Sequence, residues 1–386
     1  MDELATAGLP IKVWGSGIDD DALAQARNLA RLPFAFRHVA VMPDAHVGYG
    51  MPIGGVLATF GQVIPHAVGL DIGCGVRGWN TNLPLAEFSR VRDIVLNDIQ
   101  RSVPTGFEWH RTAQDDRTTL FDDVPDVAVL RAEVHKAVRQ VGTLGGGNHF
   151  IEAQVDPNGT VWMMVHSGSR NLGKQMAEHY DRLAREENRA SHSPVPAEWG
   201  LAHLAAGSGL GAEYLEVMGF CLRFARENRR LMADAARAAI ERRLPGVSPG
   251  DDIDVHHNYA AVEEHFGERV VVHRKGAVRA RGMVLVPGSM GTASYVCRGL
   301  ANPESFESCS HGAGRAMGRK AAMRAFPRER VIRELQEAGI RVFKANKRDL
   351  SEEAPAAYKD IEDVMRHQSD LVEPLVRLRP IGVIKG

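Results

Sequence analysis

Hydrophobic residues fall along the chain in two rhythms. From Gln175 to Glu187, and again from Glu213 to Arg243, they recur at helical spacing: Tyr214, Val217, Met218, Cys221, Leu222, Phe224 and Ala225 share one face, with Arg223, Arg226, Arg229 and Arg230 interleaved. Both stretches predict amphipathic helices. The arginines read as a solvated face rather than a phosphate track. Elsewhere the apolar runs are short and β-prone: His38 to Met42, Val161 to His166, Val270 to His273 and Met283 to Val286. Each stops just before a polar or glycine-rich stretch, and strands that hand side chains to loops are a common scaffold for a site.

Glycine comes in bursts, at Gly48 to Gly55, Gly69 to Gly78, Gly142 to Gly147, Gly288 to Gly291 and Gly312 to Gly318. Such bursts mark tight turns and places where backbone approaches a ligand. His192 to Gly200 and Leu244 to Asp252 predict loops rather than interdomain linkers. There is no internal repeat and no low-complexity tract.

Composition adds boundaries. A chain of 386 residues with 44% hydrophobic content can bury a large core, and length alone suggests about two or three domains. The net charge of -1 means that a polyanionic partner would have to be met by local basic patches. Met1 to Pro10 lacks the order of a signal peptide, and no apolar run is long enough to cross a bilayer, so a cytoplasmic protein without a membrane partner is expected. Four cysteines, Cys74, Cys221, Cys297 and Cys309, make no disulfide framework. With 16 histidines in the chain, a metal-binding role for some of these thiols and imidazoles becomes worth testing.

Candidate chemistry clusters in the loops. Asp71-Ile72-Gly73-Cys74-Gly75 puts a carboxylate and a thiol three apart in a glycine-rich turn. His149 and Glu152 follow Gly145-Gly146-Gly147-Asn148, His166 ends a predicted strand before Ser167-Gly168-Ser169-Arg170, and His256-His257-Asn258-Tyr259 adds two imidazoles. Thiolate, carboxylate and imidazoles together suit manganese, iron or zinc better than magnesium or calcium. Taken singly, each is as well explained by packing or capping. Ser308 to Arg315 places His311 before small residues that let backbone amides approach an anion, with a predicted helix beyond it that contains Arg319 and Lys320. Arg315 is a candidate phosphate contact there, and a neutral imidazole is a competent nucleophile toward phosphorus. Pro287 to Ser294 is a glycine- and hydroxyl-rich loop without the Gly-Lys-Ser/Thr of a Walker motif. No dinucleotide-binding glycine fingerprint is present, so ordinary NTPase and dehydrogenase readings fall away.

In order along the chain, Met42 to His46, Asp71 to Gly75, Gly147 to Glu152, His166 to Arg170, His257-Asn258, His273 to Ala277, Pro287 to Thr292 and His311 to Arg315 resemble the RtcB family of RNA-splicing ligases, over nearly the whole length. The resemblance implies an α+β fold in a single catalytic domain, 1–386: a β-sandwich flanked by helices, with a metal centre in a deep cleft. It implies two manganese ions held by Asp71, Cys74, His149, His166 and His257, with the Cys74 thiolate bridging them, and His311 as the guanylylated histidine. The residues matching the family's GTP site are Asn148 to Glu152, Asn258, Pro287, Gly288, Ser289, Met290, Ser294, Gly312, Ala313, Gly314, Tyr358 as a base-packing ring, and Lys385 as a guanine reader.

The activity so implied joins RNA ends bearing a 3'-phosphate or 2',3'-cyclic phosphate to 5'-hydroxyl ends through a guanylyl-histidine. Arg170, Arg274, Lys275, Arg315 and Arg319 are candidates to hold the RNA. Asp44 is a candidate to orient a ligand or the 5'-hydroxyl, or to stabilise a turn. A monomer is expected, with an activating protein as a further partner. Two alternatives share these motifs: a paralogue that repairs damaged RNA or caps DNA 3'-phosphates by the same guanylylation, and a dinuclear metal phosphodiesterase in which His311 is not a nucleophile.

Overall fold

β-Branched and aromatic residues dominate the short apolar runs, and all four predicted runs are strands in the structure, a computed structural model that describes residues 1–344 and 347–386. They fall into two large sheets. The first runs in the order Asp2–Leu4, Ile11–Val13, Ala35–Tyr49, Met51–Thr59, Glu268–Lys275, Asn258–His265. The second runs Pro249–His256, Gly75–Pro84, Thr160–Ser167, Phe150–Val155, Val372–Lys385, Ser294–Leu300, Arg281–Val286, with Arg341–Phe343 parallel beside Val372–Lys385. Its two end strands, Pro249–His256 and Arg281–Val286, approach one another, so the sheet curls toward a nearly closed barrel.

One apolar cluster joins the sheets, with Trp14, Met42, Val56 and Val272 of the first packed with Val284, Val286, Tyr295 and Cys297 of the second. Helices cover the outer faces. Ala128–Gln140, Arg170–Ala190 and Gly209–Glu241 pack on the first sheet around Tyr259, Ala260 and Val271. Leu85–Ser102 and the end of Gly209–Glu241 pack on the second around Trp79, Ile151 and Met163. The protein is thus a mixed α/β structure with packed sheets and flanking helices. No helix among the described residues is long and apolar enough to cross a membrane.

Both predicted helices are present, as Arg170–Ala190 and Gly209–Glu241, each with its apolar stripe buried. Three local expectations are corrected. The segment predicted as a loop from Leu244 to Asp252 becomes a strand from Pro249, because Asp252, Ile253 and Asp254 pair with Trp79, Gly78 and Arg77. Arg229 is not on a solvated face: it is fully buried in a bidentate pair with Asp254 at 2.7 and 2.9 Å. The helix expected after His311 begins only at Arg319 and is seven residues long, so its N-terminal dipole does not reach the histidine.

Candidate metal centre and nucleotide cleft

Asp71 and Cys74 meet in one tight turn. The Cys74 N–H donates to the Asp71 carbonyl at 3.1 Å, and Gly73 supplies the left-handed residue at φ +74°. This turn is laced to the start of Asn258–His265: Gly73 N–H donates to the Asn258 carbonyl at 2.8 Å, and His257 N–H to the Cys74 carbonyl at 2.8 Å. His149 and His166 arrive from the paired strands Phe150–Val155 and Thr160–Ser167. The Cys74 Sγ lies 3.4 Å from His149 Nε2 and 3.3 Å from His166 Nε2, and His149 Nε2 lies 3.1 Å from Asp71 Oδ2.

The donor atoms form two triads, Asp71–Cys74–His149 and Cys74–His166–His257, each with all atoms within 4.8 Å of one another. Cys74 belongs to both, which is the arrangement a bridging thiolate requires. Nδ1 of His149 lies 2.9 Å from the Leu144 carbonyl, a contact that puts the proton there and turns the Nε2 lone pair toward the centre. Burial holds His166 and His257 well below the usual imidazole range, and neighbouring cationic groups add to the effect, so both are neutral donors. Burial, with Asp71 beside it, pushes the Cys74 thiol well up. A bound cation would offset that penalty. Nδ1 of His257 is buried without a hydrogen-bond partner. This donor set fits a metal pair.

A third acidic group, Glu263–His265–Glu307, also comes close enough to chelate. Its charge is already taken by Arg274, which binds Glu263 at 2.5 and 3.0 Å, and by Arg279 and Arg281 on Glu307. That makes it a structural ion network.

His311 stands beside the centre, its ring centroid 4.8 Å from that of His257. Asp44, wholly buried, comes within 2.6 Å of His311 Nδ1 and accepts the His311 backbone N–H at 3.0 Å. The carboxylate therefore anchors the His311 backbone and flanks its ring at ion-pair distance, while Nδ1 itself makes no aligned hydrogen bond. Lys359 fixes the Asp44 segment by donating to the Pro43 and Ala45 carbonyls at 3.0 and 2.6 Å.

From His311 a cleft runs to Lys385. It is lined by Asn148, Phe150, Glu152, His166, Pro287, Gly288, Ser289, Met290, Gly312, Ala313, Gly314, Tyr358 and Lys385. The other expected nucleotide residues, Asn258 and Ser294, do other work. Asn258 borders the wider cleft on the metal side and spends its amide on the Asp71 carbonyl and Gly276 N–H. Ser294 is buried beneath the Pro287 loop, where its hydroxyl accepts from Gly288 N–H and Gln154.

At the far end Lys385 Nζ lies 3.0 Å from Glu353 Oε2 and 5.8 Å from the Phe150 ring centroid, and the Tyr358 hydroxyl donates to the same Glu353 oxygen at 2.6 Å. Burial alone would raise the Glu353 carboxyl, but the Lys385 charge and these hydrogen bonds bring it down to about 2. Glu152, buried and without a cation in contact, goes the other way, to about 8.

Among the residues expected to hold RNA, Arg170, Lys275 and Arg319 border the clefts. Arg315 lines the nucleotide cleft with Arg319, but it and Arg274 spend their guanidiniums on protein partners, as the buried Lys275 spends its Nζ on the Tyr49 and His66 carbonyls at 2.7 and 3.0 Å. Arg274 is fully buried on Glu263, Ser308 and the Phe306 carbonyl, and Arg315 is held by Glu353, Met317 and Glu352. Sequence reasoning missed Glu353 and Arg229. Besides Asp254, Arg229 Nη1 donates to the carbonyls of Gly73 and Ser167 at 2.9 Å each, clamping the two loops that carry Cys74 and His166. Nothing local marks either residue, although a buried Lys385 demands an anion from somewhere.

A cluster of thiol, carboxylate and imidazole donors facing a carboxylate-anchored histidine, at the head of a glycine-walled cleft, is compatible with a metal-dependent protein. The chain belongs to the RtcB family: the family model described as tRNA-splicing ligase RtcB matches residues 25–138 and 120–386. It is 38% identical to the RNA-splicing ligase RtcB of Escherichia coli K12, over 99% of both chains. It is 36% identical to the tRNA-splicing ligase RtcB of Thermococcus kodakarensis, over 95% of this chain and 91% of that one. With the RNA-splicing ligase RtcB of Mycobacterium tuberculosis it shares 34% identity, over 94% and 100%.

Proposed function

We propose that the chain is a manganese- and GTP-dependent RNA ligase acting through a guanylyl-histidine at His311. The observation that carries this reading is the placement of His311, anchored by Asp44, at the junction of the donor cluster and the cleft, with Nε2 as the nucleophile. Asp71, Cys74, His149, His166 and His257 hold the metals, which when bound offset negative charge on the reacting phosphates.

Lys385, oriented by Glu353, reads the guanine, and Tyr358 packs near it. The Nε2 lone pair attacks the α-phosphorus of GTP, the bond to the bridging oxygen breaks and pyrophosphate leaves. The imidazole of the phosphoramidate then carries positive charge, which Asp44 offsets. An oxygen of an RNA 3'-phosphate attacks the same phosphorus and frees His311. A 2',3'-cyclic phosphate is first hydrolysed to the monoester. A 5'-hydroxyl then attacks the activated 3'-phosphorus and GMP departs with its electron pair, leaving a phosphodiester. Arg170 and Arg319 hold the RNA ends in line.

Residues from Asp71 to Lys385 line adjoining clefts that share His311, which supports 1–386 as one catalytic domain, and we expect it to act as a monomer. The test is incubation of purified protein with manganese and GTP labelled at the α-phosphate, followed by denaturing electrophoresis. Wild type is expected to retain acid-labile label, and His311→Ala to retain none. Cleavage of RNA without GTP, and no label on either protein, would favour the metal phosphodiesterase. Label followed by transfer to DNA ends only would favour the end-capping paralogue.

A further inference from the structure

Phe107 is fully exposed, and Trp109, two residues on, is 38% exposed. A bare aromatic ring usually sits on a loose loop, but this loop is tied down. Gly106 N–H donates to the Gly145 carbonyl and Leu144 N–H to the Pro104 carbonyl, both at 2.9 Å, while Arg170 Nη2 donates to the Gly106 carbonyl at 3.0 Å. Gly106, at φ +62°, makes the turn that lifts Phe107 outward. On the far side His110 N–H donates to the Arg139 carbonyl, and the Arg139 guanidinium lies 6.0 Å from the Trp109 ring centroid. The backbone that carries the two rings is therefore fixed relative to the glycine segment that leads into His149.

Both rings line a groove that runs to Asp71, and Asp71 and Arg319 also border the cleft of the donor cluster. Lys136, Lys174 and Arg170 stand along the same groove, facing Glu108 and Glu352. Lys136 and Lys174 hold only glutamates on their own helices, at 2.7 and 3.7 Å. Such pairs, partly open to water, are weak and easily exchanged for a phosphate. Aromatic faces and cations sharing one groove that reaches the donor cluster match what a single strand of nucleic acid presents: bases with π faces and phosphates between them. A protein partner would call for a broader apolar patch than two rings among charged neighbours.

The geometry points to Phe107 and Trp109 as a base-stacking shelf for the single-stranded RNA leading away from the junction, with an unpaired base resting on Phe107. The inference builds on the RNA-ligase reading and assigns that reading's substrate a second binding feature. Stacking on a ring is indifferent to base identity, so the shelf grips any sequence and selects for unpaired ends.

The experiment uses the full chain and a labelled 12-nucleotide RNA with a 3'-phosphate, measured by fluorescence anisotropy. Phe107→Ala is expected to bind about tenfold more weakly, Phe107→Tyr to bind as wild type, and Phe107→Leu to resemble the alanine variant. RNA with abasic sites near its end should lose affinity for wild type but not for Phe107→Ala. In ligation the loss should fall on KM for RNA rather than on kcat. Thermal melting and labelling with GTP alone report on folding and on the guanylylation step separately. Equal binding by wild type and Phe107→Ala, or full rescue by Phe107→Leu, overturns the shelf while leaving the ligase reading intact. Wild-type protein that neither takes label from GTP nor joins RNA overturns the ligase reading itself, and the shelf with it.

Discussion

A methyl group added at Gly168 would stand 2.1 Å from Asp71 Oδ1, which only displacement of the carboxylate could relieve. Gly168→Ala is therefore expected to fold, since Gly168 lies outside the left-handed region, yet to bind manganese at least tenfold more weakly in a metal titration. Unchanged affinity would mean that Asp71 is not a ligand. At the other end of the cleft, Glu353→Ala leaves Lys385 buried without its anion and should cost about 3 kcal/mol in denaturant unfolding, along with GTP binding. The same carboxyl has a pH signature. Its folded pKa, about 2, lies below the ordinary 4.5, so its stabilisation is complete above about 4.5 and is lost as pH falls toward about 2. Glu353→Gln should flatten the wild-type stability profile over that acid range, and parallel profiles would contradict this. Cys74, His149 and His311 were legible in sequence because glycine and asparagine beside them form recognisable motifs. Glu353 was not, because its partners Tyr358 and Lys385 are set by folding rather than by spacing.

The long helix Gly209–Glu241 shows what periodicity can and cannot reveal. Its apolar face was plain from the sequence, but an arginine on an amphipathic helix looks the same whether it meets water or a buried carboxylate. Arg229 meets Asp254, on a strand whose first residues the sequence predicts as part of a loop ending at Asp252, so the clamp on Gly73 and Ser167 has no local signature. Removing one partner of this buried pair should be costly. Arg229→Met is expected to lose about 3–5 kcal/mol of stability. The double variant Arg229→Met with Asp254→Leu should regain much of that stability while still binding manganese poorly, because both carbonyls stay unclamped. Recovery of metal affinity together with stability would show that Arg229 acts on the fold alone.

Across the whole molecule, the sheets could be expected from the short apolar runs, but their order could not, since it depends on pairings such as Ile151 with Ile384 and Val76 with both Val255 and His166. The donor cluster is likewise held by segments distant in sequence, so metal binding and folding are coupled. Stripping the protein with a chelator should lower its melting temperature, and added manganese should raise it progressively with concentration. A melting temperature indifferent to chelation would argue against a resident metal.

The pairing of Phe150–Val155 with Val372–Lys385 also has a consequence in time. While the chain is being made on the ribosome, the strand bearing His149 at its head can pair at once with Thr160–Ser167 but waits for its other neighbour until Val372–Lys385 has emerged. Half-made chains hold Asp71, Cys74, His149 and His166 but lack His257, His311, Lys385 and the strand that ends in Lys385. The donor cluster and the cleft are therefore completed together, late in synthesis, when the last strand joins the sheet.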